Sequence, residues 1–384
     1  MGLPAYLAAM IWILWVLATA YAAMTLLLWQ TWVRLPVFRP RLVEDMPLPG
    51  ITVVIPVRNE AANLPHLLAD LSRQDYSDFE VIVADDSSTD ATAALARAYA
   101  KTAPYHLTVL SLQDDPTVAS PKKRAITQSI AVAAGQLIVT TDGDCRVRPS
   151  WLGLLARFQA ETGAKLVSGP VTFTTDHTVF GSLQTVEFAS LIGAGAAALA
   201  LGNPTMCNGA NLCYVKSVFH EVGGFAGIDQ VASGDDELLM HKIAAKFPGG
   251  VRFLKHPDAI VETDPHQSLG AFYQQRKRWA GKWRAYSALF PTMLAVFVFL
   301  CNLTPVAALA GGLLGYFPAN AVLGIVVLKW IPEALFLGAE LLFLKKKAAL
   351  SWIPLTQWLY PFYVVFFGLA AQRKGFVWKG RKLK

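Results

Sequence analysis

The chain has 384 residues, of which 54% are hydrophobic and only 16% charged. That balance excludes an ordinary soluble globular protein and a disordered one, and it points to membrane segments beside a folded domain. The net charge of +7 gathers largely beside the apolar stretches, with no basic stripe of interleaved aromatics in the middle of the chain, so a membrane surface is the expected partner and nucleic acid is not.

Residues 1–33 carry no charge and include Trp12, Trp15, Trp29 and Trp32. The run is longer than a signal-peptide core, lacks a basic start and shows no clear small-residue cleavage site, so it reads as a retained transmembrane helix. Arg34, Arg39 and Arg41 follow. The positive-inside tendency then places Met1 outside and the next domain in the cytosol.

The β-branched run from Ile51 to Val57 predicts a fully buried strand. It ends at Arg58-Asn59-Glu60, and a helix is expected over 63–72. A second strand, from Glu80, ends in Asp85-Asp86-Ser87-Ser88-Thr89-Asp90, and an Ala-rich helix follows to Lys101. A third strand covers 106–111. Lys122-Lys123-Arg124 opens a helix to Ala134, and a fourth strand, 136–141, ends in Asp142-Gly143-Asp144. Strands alternating with helices predict an α/β domain with a mostly parallel, Rossmann-like sheet. Ligands of such sheets sit beyond the carboxyl ends of the strands, where all three polar clusters fall.

Asp142 and Asp144 are two hard oxygen ligands with little else beside them. They suit Mg²⁺ or Mn²⁺, which complete their shell with water and substrate phosphates. Taken alone, Asp-Gly-Asp reads equally well as a polar turn before the next helix. The four cysteines form no Cys-x-x-Cys pair, so free thiols in a reducing compartment are expected and zinc is not. Residues 188–215 lack charge and are long enough to cross a membrane. A crossing there would put Asp142 and Asp236 on opposite sides, so the stretch reads as buried or interfacial.

Residues 285–328 carry no charge and fit two spans, with the break expected near Asn302 and Pro305. Residues 330–344 form a shorter apolar piece holding Glu333 and Glu340, expected at the interface or packed inside a bundle. Residues 348–372 read as a further span, and a basic tail covers 373–384. The two basic clusters of this region, one at Lys345–Lys347, leave two to four crossings. The resulting division is 1–33 as an N-terminal span, 34–284 as the cytosolic domain, 285–372 as membrane or interfacial helices, and 373–384 as a cytosolic tail.

Ile55-Pro56-Val57-Arg58-Asn59-Glu60, Asp85 to Asp90 and Asp142-Gly143-Asp144 together resemble the family 2 glycosyltransferases with the GT-A fold. Ser87 stands where the family usually has glycine. Asn208 to Tyr214 followed by Val222 to Phe225 looks like the acceptor-side segment. Asp235-Asp236 takes the place of the Glu-Asp motif, and Gln275-Arg276-Lys277-Arg278-Trp279 fits the Gln-x-x-Arg-Trp motif of the cellulose, chitin, hyaluronan and poly-N-acetylglucosamine synthases. The resemblance runs from Ile51 to Trp283. It implies a membrane-bound inverting enzyme that moves a sugar from a UDP-sugar to a hydroxyl of a growing polysaccharide or lipid-linked glycan at the cytosolic face of the inner or plasma membrane. The acceptor is then a lipid or a glycan.

By that resemblance Pro56, Arg58 and Glu60 line the uridine site, and Asp86 accepts from uracil ahead of Asp85. Of Lys122 and Lys123 one reaches the diphosphate, and Lys123 is assigned that contact. Asp144 binds the metal, and Asp142 contacts the ribose or the metal shell. Asp236 is the catalytic base, Arg278 pairs with phosphate oxygens, and Gln275 and Trp279 meet the acceptor. Apart from the resemblance, the stretch also reads as a basic amphipathic helix on the membrane surface, with Arg276, Lys277, Lys282 and Arg284 facing lipid phosphates, and both readings can hold on different faces of one helix. His266 is a further, structural or metal-binding, candidate. The main alternative is a single-addition lipid glycosyltransferase similar to the ceramide glucosyltransferases. A transporter that senses nucleotide-sugar is the rival from another class; its mark would be ionisable residues paired within the spans.

Overall fold

The computed structural model describes residues 5–41, 47–115, 117–281, 289–370, 376–378 and 381–383. The chain divides into two compact units. One is helical and comprises Met1–Arg34, Thr175–Ala197 and His266–Lys374; the other comprises Leu35–Thr174, Ala198–Pro265 and Gly375–Lys384.

The helical unit begins with α1 (Ala5–Arg34). The second unit then builds β1 (Ile51–Val57), α2 (Leu64–Leu71), β2 (Phe79–Asp86), α3 (Thr92–Ala100), β3 (His106–Leu112), α4 (Pro121–Val132) and β4 (Leu137–Thr140). It continues with α5 (Trp151–Thr162), β5 (Leu166–Ser168) and β6 (Val171–Phe173). After α6 (Val179–Ala200), which lies mostly in the helical unit, it adds β7 (Leu212–Val215), α7 (Lys216–Glu221), α8 (Glu237–Lys246), β8 (Val251–Phe253) and β9 (Val261–Thr263). Seven strands form one sheet in the order β3-β2-β1-β4-β7-β5-β8.

The pairs β1–β2, β2–β3 and β1–β4 are parallel, with Val57 opposite Asp85 and Asp85 opposite Ser111. Parallel strands are covered on both faces, which is why β1 reads as a continuous apolar run. Ile51, Val53, Val54 and Ile55 are accordingly buried. The shared direction brings the ends of β1, β2 and β4 to one edge. Strand β7 runs antiparallel between β4 and β5, with Thr140 opposite Leu212. Its beginning, not its end, therefore lies at the edge where β4 stops, and Asn208-Gly209 arrives beside the Asp142 turn. A separate pair, β6 and β9, is joined to Arg146 through a bridge with Glu262.

The uncharged stretch 188–215 resolves into two elements. Its first part belongs to α6 and its last part to β7, a central strand of the sheet. The stretch is therefore not one continuous helix, since its last four residues form a strand. The helical unit continues with α9 (Leu269–Ala280), α10 (Leu289–Leu313), α11 (Ala319–Phe343) and α12 (Ile353–Ala370). Among the described residues five helices are long and apolar enough to cross a membrane: α1, α6, α10, α11 and the helix of 347–370 that contains α12.

Two boundaries differ from the sequence reading. Helix α10 runs through Pro305, and the chain turns later, at 314–318, where Gly315 adopts φ 74° before Pro318. The polar donors near Pro305 bond within the helix: the Asn302 amide donates to the Val298 carbonyl at 2.9 Å and the Thr304 hydroxyl to that of Cys301 at 2.7 Å, while Asn302 Oδ1 has no partner among the described residues. Helix α11 extends across Lys329, the charged residue between the apolar stretches 285–328 and 330–344. The Lys329 ammonium pairs one turn on with Glu333, and the Tyr21 hydroxyl of α1 donates to the same carboxylate at 2.7 Å. A neutralised pair lets the apolar helix continue. Lys282, Arg284 and the tail basic residues Arg373, Lys374, Lys379 and Lys384 lie outside the described residues.

Candidate active site

The loops after β1 and β2 hold each other. Arg58 Nη1 donates to the carbonyl oxygens of Asp86 at 2.7 Å and Ser87 at 3.1 Å. The Asn59 N–H donates to Ser88 Oγ at 2.9 Å, and Asn59 Oδ1 accepts the Thr89 N–H at 2.8 Å. Asp90 accepts the N–H groups of Ala61 and Thr92 at 3.1 and 3.0 Å. Glu60 is buried and accepts from the Asn63 amide at 2.9 Å, bracing the turn into α2. Pro56 sits within β1, opposite Ala84.

Ser87 adopts φ 57°, the left-handed conformation in which glycine is least strained. Its hydroxyl donates to the Leu112 carbonyl at 2.7 Å, a bond that glycine would lack. The two carboxylates at the end of β2 differ. Asp86 is buried and ion-paired with Arg124 Nη2 at 2.8 Å. Asp85 is equally buried, and its Oδ1 has no hydrogen-bond partner among the described residues. The unclaimed acceptor is thus on Asp85.

The second cluster forms where β4 ends. Lys122, in the first turn of α4, places its ammonium 2.7 Å from Asp142 Oδ1 and 3.2 Å from Asp235 Oδ2. Burial alone would lower the Lys122 pKa, but Asp142, Asp235 and Asp236 outweigh it and hold the pKa well above the ordinary lysine value. Asp236 caps α8: its Oδ1 accepts the Glu237 N–H at 2.7 Å, and its Oδ2 accepts the Gly209 N–H at 3.0 Å. The Thr140 hydroxyl donates to the Gly209 carbonyl at 2.9 Å, tying this loop to the end of β4.

Both glycines of the cluster sit where a side chain would intrude. A Cβ on Gly143 would lie 2.9 Å from Val57 Cγ1 and 3.0 Å from Glu60 Cγ. One on Gly209 would lie 3.2 Å from Asp235 Oδ2 and 3.5 Å from Lys122 Nζ. Asp144 is partly exposed beside the buried Cys145 thiol, whose pKa burial pushes well above its ordinary value, with Asp144 and Asp142 adding to the effect. Cys145 is accordingly not a reactive thiol. All four cysteines are free.

Lys123 occupies a different place from the one expected. It is 2% exposed, and its ammonium donates to the carbonyl oxygens of Ile228 at 2.6 Å, Val231 at 2.8 Å and Ser233 at 2.9 Å. An ammonium has three donor hydrogens, so this one is committed to the protein rather than to a diphosphate. Lys122 faces the carboxylates instead. Sequence reasoning also missed Arg124 and the Gly209 amide. The Lys-Lys-Arg run at a helix start was the available signal for the first, because cations there oppose the helix dipole unless acids lie nearby.

The Gln-x-x-Arg-Trp residues lie on α9 of the helical unit. Arg276 was expected among headgroups. It is 2% exposed and donates to both oxygens of Glu187 on α6, at 3.1 and 2.5 Å, while the Tyr363 hydroxyl of α12 donates to Glu187 at 2.9 Å. A buried guanidinium needs such a partner. Trp279 stacks on Phe188 with centroids 6.1 Å apart, and the Arg276 guanidinium lies 4.4 Å from its ring centre. Gln275 accepts from Arg276. His266 is held through its backbone, its main-chain N–H donating to Gln184 Oε1 and its carbonyl accepting from the Gln184 amide, both at 3.0 Å. Among the described residues no three His, Cys, Asp or Glu side chains converge as a complete protein cage for a metal.

A family model described as glycosyl transferase family 21 matches residues 10–384. A glycosyltransferase, AglE, of Haloferax volcanii is 35% identical over 129 residues, 33% of this chain and 41% of the relative. A poly-β-1,6-N-acetyl-D-glucosamine synthase of Staphylococcus aureus is 25% identical over 238 residues, 61% of this chain and 54% of the relative. The chain thus spans about half the length of the curated relatives it matches. Among solved structures, the mannosyltransferase PcManGT of Pyrobaculum calidifontis, in complex with GDP-mannose and Mn²⁺, superposes with a TM-score of 0.59 at 19% identity, covering 94% of this chain and 99% of that one. At that identity the likeness speaks for the fold, and it agrees with the mostly parallel sheet and the strand-end carboxylates in giving the GT-A architecture. With the family model covering nearly the whole sequence, the chain belongs to glycosyl transferase family 21 and is a glycosyltransferase.

Proposed function

We propose that the chain is an inverting, membrane-bound transferase that moves a sugar from a nucleoside-diphosphate sugar, with UDP as the nucleotide, to a hydroxyl of a lipid or growing glycan. The observation that carries the reading is the convergence of Lys122, Asp142, Asp235, Asp236 and the Gly209 amide at the edge where β4 ends and β7 begins. An inverting transfer needs one carboxylate to take the acceptor proton while the oxygen attacks the anomeric carbon. Asp236 is given that role, because two backbone N–H groups fix its direction. Lys122 meets the diphosphate. The buried, unclaimed oxygen of Asp85 suits a base N–H, with Asp86 held behind it by Arg124. Arg58 and Glu60 shape that end of the site through the loops they brace, and Pro56 lies in β1 beneath it.

Asp142 and Asp144 fit Mg²⁺ or Mn²⁺. They are hard oxygen donors on one tight turn and too few to bind a metal without substrate oxygens. A metal there would neutralise charge on the departing nucleotide. Gln275, Arg278 and Trp279 are assigned to the acceptor and diphosphate side. The helices α1, α10, α11 and that of 347–370, long and apolar enough to cross, support an integral membrane protein; the cytosolic side for the α/β unit, domain limits near 34 and 284 and a basic cytosolic tail rest on the charge pattern of the sequence. Kinship with a poly-N-acetylglucosamine synthase favours polysaccharide or lipid-linked glycan synthesis over a single addition.

The complex of PcManGT with GDP-mannose motivates a second donor reading. Full-length enzyme in detergent, given a panel of UDP-sugars and GDP-mannose with Mn²⁺ or Mg²⁺, should release UDP from one of the former, and chelation should stop it. Release of GDP alone would replace the nucleotide assignment. Product size on a gel separates one addition from many.

A further inference from the structure

We propose that Lys123 is a positioning residue for the transfer step: its buried ammonium fixes the loop that delivers Asp235 and Asp236 to Lys122. Lys122 and Lys123 leave the first turn of α4 in different directions. Lys122 turns to the carboxylates at the end of β4, and Lys123 turns under residues 228–233. The loop between Phe225 and α8 contains no strand or helix. Gly227 and Gly234 adopt φ 82° and 78°, and its own backbone bonds are few, among them Ile228 N–H to the Phe225 carbonyl at 3.0 Å and Val231 N–H to that of Ile228 at 3.3 Å. Three of its carbonyls converge on one cation within 2.9 Å, the last of them at Ser233, two residues before Asp235.

Carbonyl dipoles pointing inward at one buried point repel one another unless a cation or donor sits there. Lys242 anchors the start of the loop, its ammonium donating to the Gly224 and Ala226 carbonyls at 2.6 and 2.8 Å. The stretch from Ile228 to Ser233 is instead held by Lys123, and removing that ammonium loosens the approach to Asp236, whose Oδ2 lies 3.0 Å from the Gly209 nitrogen. A nonpolar side chain at 123 would leave α4 and Lys122 intact while freeing the acidic pair. A lysine at this place is thus a geometric device for the base, which explains why a cation stands at a helix start that also carries Lys122.

The inference rests on the assignment of Asp236 as the base. Its test uses full-length enzyme in detergent and whichever nucleotide-sugar the wild-type protein turns over, so that an error in donor identity does not enter. Sites are counted by titration with the free nucleoside diphosphate. Lys123→Met should lower kcat per nucleotide-binding site at least tenfold, with nucleotide Kd changed less than threefold. Lys123→Arg, which keeps charge and donors, should recover part of that loss. Should Lys123→Met give no nucleotide-binding protein, Lys123→Gln, which keeps two N–H donors, takes its place and should lower kcat in the same direction. Wild-type kcat per site in whichever of these variants binds nucleotide, with only the yield of folded protein reduced, would overturn the proposal. Retained transfer by Asp236→Asn would instead overturn the base assignment and leave the Lys123 comparison readable as a separate result.

Discussion

Ser87 offers a stability prediction whose two arms pull in opposite directions. The residue sits at φ 57°, and its hydroxyl donates to the Leu112 carbonyl at 2.7 Å. A left-handed conformation costs an L-residue roughly 1–2 kcal/mol. A partly buried hydrogen bond contributes about 1 kcal/mol net. Ser87→Ala removes the bond and keeps the strain, so it should destabilise the protein by about 1 kcal/mol. Ser87→Gly removes the bond, relieves the strain, and frees the unfolded chain at a cost of roughly 0.5–1 kcal/mol. Its net effect should lie near zero. Thermal unfolding of full-length protein in detergent should therefore place Ser87→Gly within about a degree of wild type and Ser87→Ala a few degrees lower, given the usual scaling of Tm with stability. The same order should appear in the donor KM, since Arg58 grips the Asp86 and Ser87 carbonyls. An alanine variant as stable as the glycine variant would refute the reasoning, because both lack the hydroxyl bond and equality would mean that the backbone strain at Ser87 is negligible.

Lys122→Met removes a charge-assisted contact of the kind that contributes roughly 1.5–3 kcal/mol. With Lys122 assigned to the diphosphate, kcat/KM for the donor should fall about 10- to 200-fold, measured by nucleotide release; an unchanged kcat/KM would remove Lys122 from the site. Asp70 gives a pH prediction away from the chemistry. Burial alone would raise its pKa, but Arg146 at 2.6 and 2.9 Å, the Val147 N–H and Arg73 outweigh that and lower it. A carboxylate with its folded pKa below the unfolded value stabilises the fold above the ordinary carboxylate range, about pH 4, and that stability is lost as pH falls through the folded value. Asp70→Asn should thus be less stable than wild type at neutral pH, and the gap should narrow as the pH falls below about 4. A gap that stays constant with pH would contradict the ion-pair account.

The parallel half of the fold was legible because its strands are covered on both faces and read as uninterrupted apolar runs. The ends of β1, β2 and β4 fall on one edge by the pattern alone, because parallel strands share a direction. Strand β7 was not visible, since its four residues lie in an uncharged stretch whose composition equally suits a helix. Arrangement within the site was less readable still. Adjacent lysines on a helix start look alike in sequence, yet Lys122 and Lys123 point to different partners. Arg276 looked like a headgroup ligand because nothing local reveals Glu187, 89 residues earlier. Lys329 looked like a span boundary for a similar reason, since the sequence does not show that Glu333, one turn ahead, neutralises it and is itself held by the Tyr21 hydroxyl of another helix. Pairings between distant segments are what the linear pattern leaves undetermined.

The assignment of Asp236 as the base is tested most directly by comparing transfer and donor binding in Asp236→Asn. The amide keeps a carbonyl oxygen for one of the two backbone N–H groups now held by the carboxylate. Donor affinity, measured by titration with the nucleotide-sugar, should stay within a few-fold of wild type, while the transfer rate should fall by about 10²–10⁴, the range that proton transfer by a positioned base contributes. Transfer at the wild-type rate by a folded, donor-binding Asp236→Asn enzyme would contradict the account.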